Sequence, residues 1–187
     1  FVALVTLSIV TSAIAAPMIK WLLRREKTWA LGALLDSRSC QLKLKAQNAT
    51  DAIRELSYLA CEKCGLDPIE VSRAVLQRET MMGTGLGHGV SVPHARPSGL
   101  KSPLIAAGLS THGLDFNAPD GLPVRLVLLI LTPPDDHGAQ VQILRSIARF
   151  VRNEQAREEA ISAQTTTSFL AALRVSDVLQ SQETGSP

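Results

Sequence analysis

The run Thr84-Gly-Leu-Gly-His-Gly-Val-Ser-Val-Pro-His94-Ala-Arg96 decides how this chain is read. It reads as a glycine-rich turn, a short strand over about residues 89–93, and a histidine at the strand exit with an arginine two residues on. A strand end is a rigid mount, and the loop beyond it leaves the imidazole reachable by another macromolecule. An unperturbed pKa of about 6.5 keeps histidine largely neutral, and so nucleophilic, at cellular pH. Arg96 can meet a phosphoryl group with paired donors. Spacing alone fits a hairpin-edge histidine without chemistry at least as well, so the rest of the chain has to decide.

Outward from this run the pattern alternates strands and helices. Val124 to Leu131 is continuously apolar, which marks a central strand buried on both faces. Leu104 to Ser110 reads as a second strand, and Gln41 to Lys45 as a short one with one buried face. Phe116 to Gly121 is a turn cluster. Thr50 is expected to cap a helix over Asp51 to Cys64 that Gly65 stops. Asp67-Pro68-Ile69-Glu70 starts another, with Asp67 as cap, Pro68 in the first turn and Glu70 completing a capping box, running to about Arg78. Asp136 or Gly138 leads into a helix with Val141, Leu144, Ile147, Ala148 and Val151 on one side. Asn153 caps a further helix over Glu154 to Ser162, residues 167–173 form the last, and the polar residues after Val178 fray. Strands interspersed with helices, one strand apolar throughout, predict an α/β domain whose mixed sheet is sandwiched by helices.

Composition excludes some functions. The 187 residues suffice for a sizeable core. A net charge of +2 and 4% aromatic residues argue against nucleic acid as a partner. Cys61 and Cys64 form a Cys-x-x-Cys, but inside a helical pattern and without a second Cys/His pair, so neither zinc nor a disulfide framework is expected. No metal or other cofactor is implied.

Residues 1–19 carry no charge and would span about 28 Å as a helix, close to one bilayer core. Lys20, Arg24, Arg25 and Lys27 follow, with Trp21 and Trp29 near the boundary. Basic residues after the apolar run place that end in the cytoplasm. A signal peptide, suggested by Ala13-Ile14-Ala15, would carry its positive charge before the apolar run instead. The expected organisation is one transmembrane helix over 1–23, a polar connector over 24–40, the α/β domain over 41–174 and a polar tail over 175–187.

Arg78-Glu79 leading into the Thr84–Arg96 run resembles the signature of enzyme IIA domains of the fructose, mannitol and nitrogen-regulatory branch of the bacterial phosphotransferase system. The resemblance continues through Asp120-Gly-Leu-Pro-Val-Arg-Leu-Val-Leu-Leu-Ile-Leu-Thr-Pro-Pro134 and Ile143-Leu-Arg-Ser-Ile-Ala-Arg-Phe-Val-Arg152. It implies a phosphohistidine carrier, with His94 accepting a phosphoryl group from the small carrier HPr or its counterpart and Arg96 stabilising the charge. Glu79 matches the family's acidic residue before the turn, placed to orient the loop or Arg96, or simply a solvated helix-end carboxylate. Gly85, Gly87 and Gly89 would let backbone N–H groups approach the anion. His88 stands where many members have asparagine, as a polar loop residue or a phosphoryl contact, and His112 reads as structural or solvent-facing.

The chain also departs from the family at the second histidine. A second histidine usually opens the helix after the apolar strand, and alignment puts Gln140 there, with His137 three residues earlier. Glutamine donates a hydrogen bond but carries no charge. His137 reaches the same face only if the helix starts early. Residues 5–23 are similar to the last membrane helix of bacterial monovalent cation/proton antiporters, some of which carry a C-terminal enzyme IIA-like domain. That resemblance implies a regulatory domain on the cytoplasmic side of the inner membrane, with the antiporter's own membrane domain as partner. A phosphate relay to a sugar permease, and an interaction module of the same fold without chemistry, are the other readings.

Overall fold

The computed structural model describes residues 3, 5, 6, 11–15, 18, 29 and 31–183, with side chains to Arg174. The sheet is built around the apolar run, strand β6 (Val124–Leu131). Leu126, Leu128 and Ile130 belong to one core, Val127, Leu129 and Leu131 to the other, and all six are fully buried. A strand apolar on both faces has no stable place except the middle of a layered sheet. On one side it pairs antiparallel with β5 (Leu104–Leu114), which runs past the expected Ser110. β1 (Cys40–Gln41) adds parallel to β5, shorter than the strand expected over 41–45.

The other side of β6 carries two short strands, β3 (Val90–Ser91) and β4 (His94–Ala95), both parallel to it. Val90 pairs with Leu126 and His94 with Ile130, so the register does not shift between them. Pro93 interrupts the line only because it has no N–H. Its carbonyl still accepts from the Ile130 N–H at 2.9 Å. His94 is therefore inside the strand line rather than beyond its exit. β2 (Gly85–Gly87) closes the edge, antiparallel to β3.

Helices cover both faces, as the sequence pattern predicts. Helices α2 (Ala49–Cys64) and α3 (Pro68–Met81) pack on one. Helices α1 (Leu31–Leu34), α4 (His137–Arg152), α5 (Glu154–Ile161) and α6 (Thr166–Glu183) pack on the other. Asn48 rather than Thr50 caps α2, its Oδ1 accepting from the Asp51 N–H at 2.9 Å. Asp67 caps α3 as expected, but Glu70 pairs with Arg73 at 2.7 Å, with no capping-box bond. In α4 the buried face is Ala139, Ile143, Ser146, Ile147, Phe150 and Val151, while the expected Val141 and Ala148 are exposed. Helix α6 continues well past the expected residue 173.

The segment expected as a connector is built into the domain from residue 31 onward. Leu31 and Leu35 are buried in the core beneath α4 and α6. The Trp29 N–H donates to Gln142 Oε1 at 3.1 Å and the Leu31 N–H to Ser146 Oγ at 3.2 Å, both acceptors on α4. Among the described residues no helix is long and apolar enough to cross a membrane. The span expected over 1–23 and the first part of the connector lie largely outside them, as does the end of the polar tail.

Asp36 ties this segment to α2 through Lys63 Nζ at 2.7 Å. The Lys63 ammonium, with the Ser39 hydroxyl and the Arg38 N–H, holds its carboxyl down at about 2. A carboxylate depressed in the folded state stabilises above its unfolded pKa of about 3.9, and that contribution is lost as pH falls through the folded value. Asp36→Asn should thus lower the urea midpoint near neutral pH, and the gap to the parent should close between about pH 4 and pH 2. Burial, the largest cause for each, pushes the Cys40 and Cys61 thiols up to about 12, which keeps them protonated and unreactive.

Candidate phosphoacceptor site

His94 sits half-buried where β4 meets the end of β6. Its Nδ1 lies 3.0 Å from the Val92 carbonyl oxygen. A carbonyl can only accept, so Nδ1 carries the proton and Nε2 keeps its lone pair. The backbone two residues back thus sets both the tautomer and the ring orientation. His94 lines a surface cavity of about 380 Å³ with Ala74, Gln77, Arg78, Ala95, Arg96 and Gln140. No carboxylate is in that lining, and two guanidiniums are, which suits a dianionic phosphoryl group.

Arg78 was quoted in the sequence pattern without a role. It occupies the last turn of α3, half-buried, and its guanidinium makes no ion pair among the described residues. The signal was present: Ala74, Gln77 and Arg78 recur at helical spacing on one face. Glu79 points elsewhere. Its Oε1 accepts from the Thr84 N–H at 3.0 Å and its Oε2 from the Thr84 hydroxyl at 2.5 Å. Both bonds go to the loop residue Thr84 rather than to Arg96.

Helix α4 starts early, at His137, with Asp136 as cap accepting from the Ala139 N–H at 2.9 Å. His137 and Gln140 are then one turn apart and both face Arg96. Arg96 Nε–H donates to Gln140 Oε1 at 2.6 Å, and Arg96 Nη1 meets His137 Nδ1.

The glycine turn is not brought to this site. Gly87 and Gly89 have φ of +88° and +74° and close the β2–β3 hairpin around His88, which is itself at +54°. The Gly89 carbonyl accepts from the Arg125 and Leu126 N–H groups, at the opposite end of β6 from Ile130 and His94. Five residues of strand at about 3.3 Å each put the turn roughly 16 Å away. Gly87, His88 and Gly89, expected as phosphoryl contacts, therefore stand in the far hairpin, and Gly85, paired with Ser91, packs against Ala118. The exposed His88 donates its N–H to Asp120 Oδ2 at 2.6 Å. That bond and one from the Leu122 N–H lower the Asp120 pKa. His112 is tied to Thr111 Oγ1 at 3.0 Å and the Ala46 carbonyl at 3.4 Å.

A Cβ on Gly85 would lie 2.7 Å from Ala118 Cα and 2.9 Å from the Phe116 carbonyl oxygen. Gly85→Ala is expected to cost about 1–3 kcal/mol of stability through overpacking. Thermal unfolding of the variant beside the parent checks this.

A mixed sheet between two helical layers, with a histidine held in an interrupted strand beside arginines, defines an α/β domain of the enzyme IIA kind. The family model described as the phosphoenolpyruvate-dependent sugar phosphotransferase system, EIIA 2, matches residues 33–175, and the chain belongs to that family. The chain is 38% identical over 101 residues to the fructose-specific EIIA component of Haloferax volcanii, covering 52% of this chain and 66% of that protein. It is 25% identical over 146 residues to the fructose-specific EIIABC component of Bacillus subtilis, covering 77% of this chain but 23% of that one. It thus spans less than two thirds of the length of each of these curated relatives. The crystal structure of nitrogen regulatory protein IIA-Ntr from Neisseria meningitidis superposes with a TM-score of 0.72 at 26% identity, covering 76% of this chain and 98% of that one.

Proposed function

We propose that this domain accepts a phosphoryl group on Nε2 of His94 from a phosphorylated HPr-type carrier, and that its phosphorylation state regulates a cation/proton antiporter to which it is joined. The observation that carries the first half is the Nδ1 bond to the Val92 carbonyl, which leaves Nε2 as the nucleophile beside Arg96 in an acid-free cavity. The Nε2 lone pair attacks phosphorus as the P–N bond to the carrier's imidazole breaks, and the carrier's ring leaves with that electron pair. The proton stays on Nδ1 throughout, donated to the Val92 carbonyl. Phosphoryl transfer asks mainly for positioning and charge stabilisation, which Arg96 and Arg78 supply.

The second half rests on the order of parts: an apolar run over residues 1–19, basic residues after it, then this domain. On that reading the domain lies on the cytoplasmic side of the inner membrane. Up to two negative charges added at His94 would alter its docking onto a membrane-domain loop. The similarity to fructose-specific components favours instead a relay to a sugar permease. Two measurements separate these. Acid-labile label from a phosphorylated carrier tests acceptance, and its absence, where a sugar-type enzyme IIA is labelled, defeats it. Cation-driven proton exchange in vesicles carrying the full-length protein, with and without the carrier, tests regulation. A rate indifferent to both phosphorylation and His94→Ala defeats that half.

A further inference from the structure

We propose that His137 is a positioning residue, acting with Gln140 as a pair of uncharged acceptors that hold Arg96 beside His94 without neutralising it. This rests on His94 as the phosphoacceptor. Arg96 stands between two environments. On one side is the His94 cavity. On the other is a second cavity, of about 440 Å³, which Arg96 also lines and to which Asp67 and Glu70 contribute carboxylates. A guanidinium left to choose is drawn toward carboxylates, and once paired there its charge is spent and its donors point away from the nucleophile.

The first turn of α4 prevents this. Gln140 Oε1 takes the Arg96 Nε–H at 2.6 Å, and His137 Nδ1 takes a hydrogen from Nη1. Arginine has no acceptor, so His137 Nδ1 contributes its lone pair and its proton sits on Nε2, the opposite tautomer to His94. Two of the five guanidinium hydrogens are used. Three remain, two of them on Nη2, enough for a paired approach to phosphoryl oxygens. A carboxylate at either α4 position would grip Arg96 more tightly and cancel the charge that the phosphoryl group needs. The glutamine at the aligned second-histidine position thus works in tandem with a histidine one turn earlier.

The test uses the full chain and three substitutions: His137→Ala, His137→Asn, whose Oδ1 stands about where Nδ1 does, and His137→Asp. In the unphosphorylated protein, nitrogen-15 spectra should show His137 unprotonated at Nδ1 and a sharp, slowly exchanging Arg96 Nε–H. That signal should broaden in His137→Ala and persist in the other two. Transfer from a phosphorylated HPr-type carrier should slow about tenfold in His137→Ala through lost orientation, and recover to within about twofold in His137→Asn. It should slow about tenfold again in His137→Asp, although Arg96 stays held. Parent-like transfer in His137→Ala, or in His137→Asp with Arg96 held, overturns the proposal. If the parent chain takes no label, the phosphoacceptor reading falls, and the latch stands or falls on the nitrogen-15 signals alone.

Discussion

His94→Ala should leave a folded chain that takes no acid-labile phosphate from a phosphorylated carrier, its signal indistinguishable from background. Among the described residues lining the cavity, the substitution removes the one nitrogen that offers an available lone pair. Gln140 and the two arginines offer donors but no nucleophile. Structural collapse does not explain such a loss. His94 is half-buried and contributes one side-chain hydrogen bond, to Val92, worth about 1 kcal/mol net. Thermal unfolding of the variant should therefore stay within a few degrees of the parent. Retained label in His94→Ala would move the phosphoacceptor elsewhere and with it the whole site.

Phe150→Ala should give the largest loss of stability from a single truncation on α4. The ring is fully buried, in the core that also holds Ile143, Ile147, Leu126 and Leu128. Emptying such a site costs about 3–5 kcal/mol in lost transfer energy and unfilled cavity. That is a large share of the roughly 5–15 kcal/mol a domain commonly has. Urea unfolding should show a much lower midpoint with an unchanged slope. Val141→Ala, on the exposed face of the same helix, should move it by less than about 0.5 kcal/mol. Equal effects of the two would mean that α4 is rotated about its axis relative to the structure.

The contrast between those two residues shows what a single sequence conveys. Val124–Leu131 was legible as a central strand because its apolar run admits no exposed face. Helix α4 is legible as a helix, and Ile147 and Val151 of its expected face are buried, but two periodic sets compete along it: Val141 and Ala148 are exposed, and Phe150 takes the core instead. The tie is broken by contacts with Leu31 and Leu173, distant in sequence. Pro93 looked like a strand end, since a missing N–H commonly stops a ladder. Here its partner strand needs only the Pro93 carbonyl, so pairing resumes at His94. The glycines were ambiguous between an anion cradle and a tight hairpin. Ala118 and Asp120, more than thirty positions downstream, decide for the hairpin. His94, Arg96 and Gln140 share a cavity as their order suggested, whereas Arg78 needed the helix face to be seen.

Trp29 and Leu31 hang from Gln142 and Ser146 by their backbone N–H groups. The segment around residues 29–31 is thus fastened to the same helix that holds Arg96. The helix is a rod about 24 Å long. Its middle anchors that segment, and its first turn clasps Arg96, so one rigid element joins the two ends of the domain's surface.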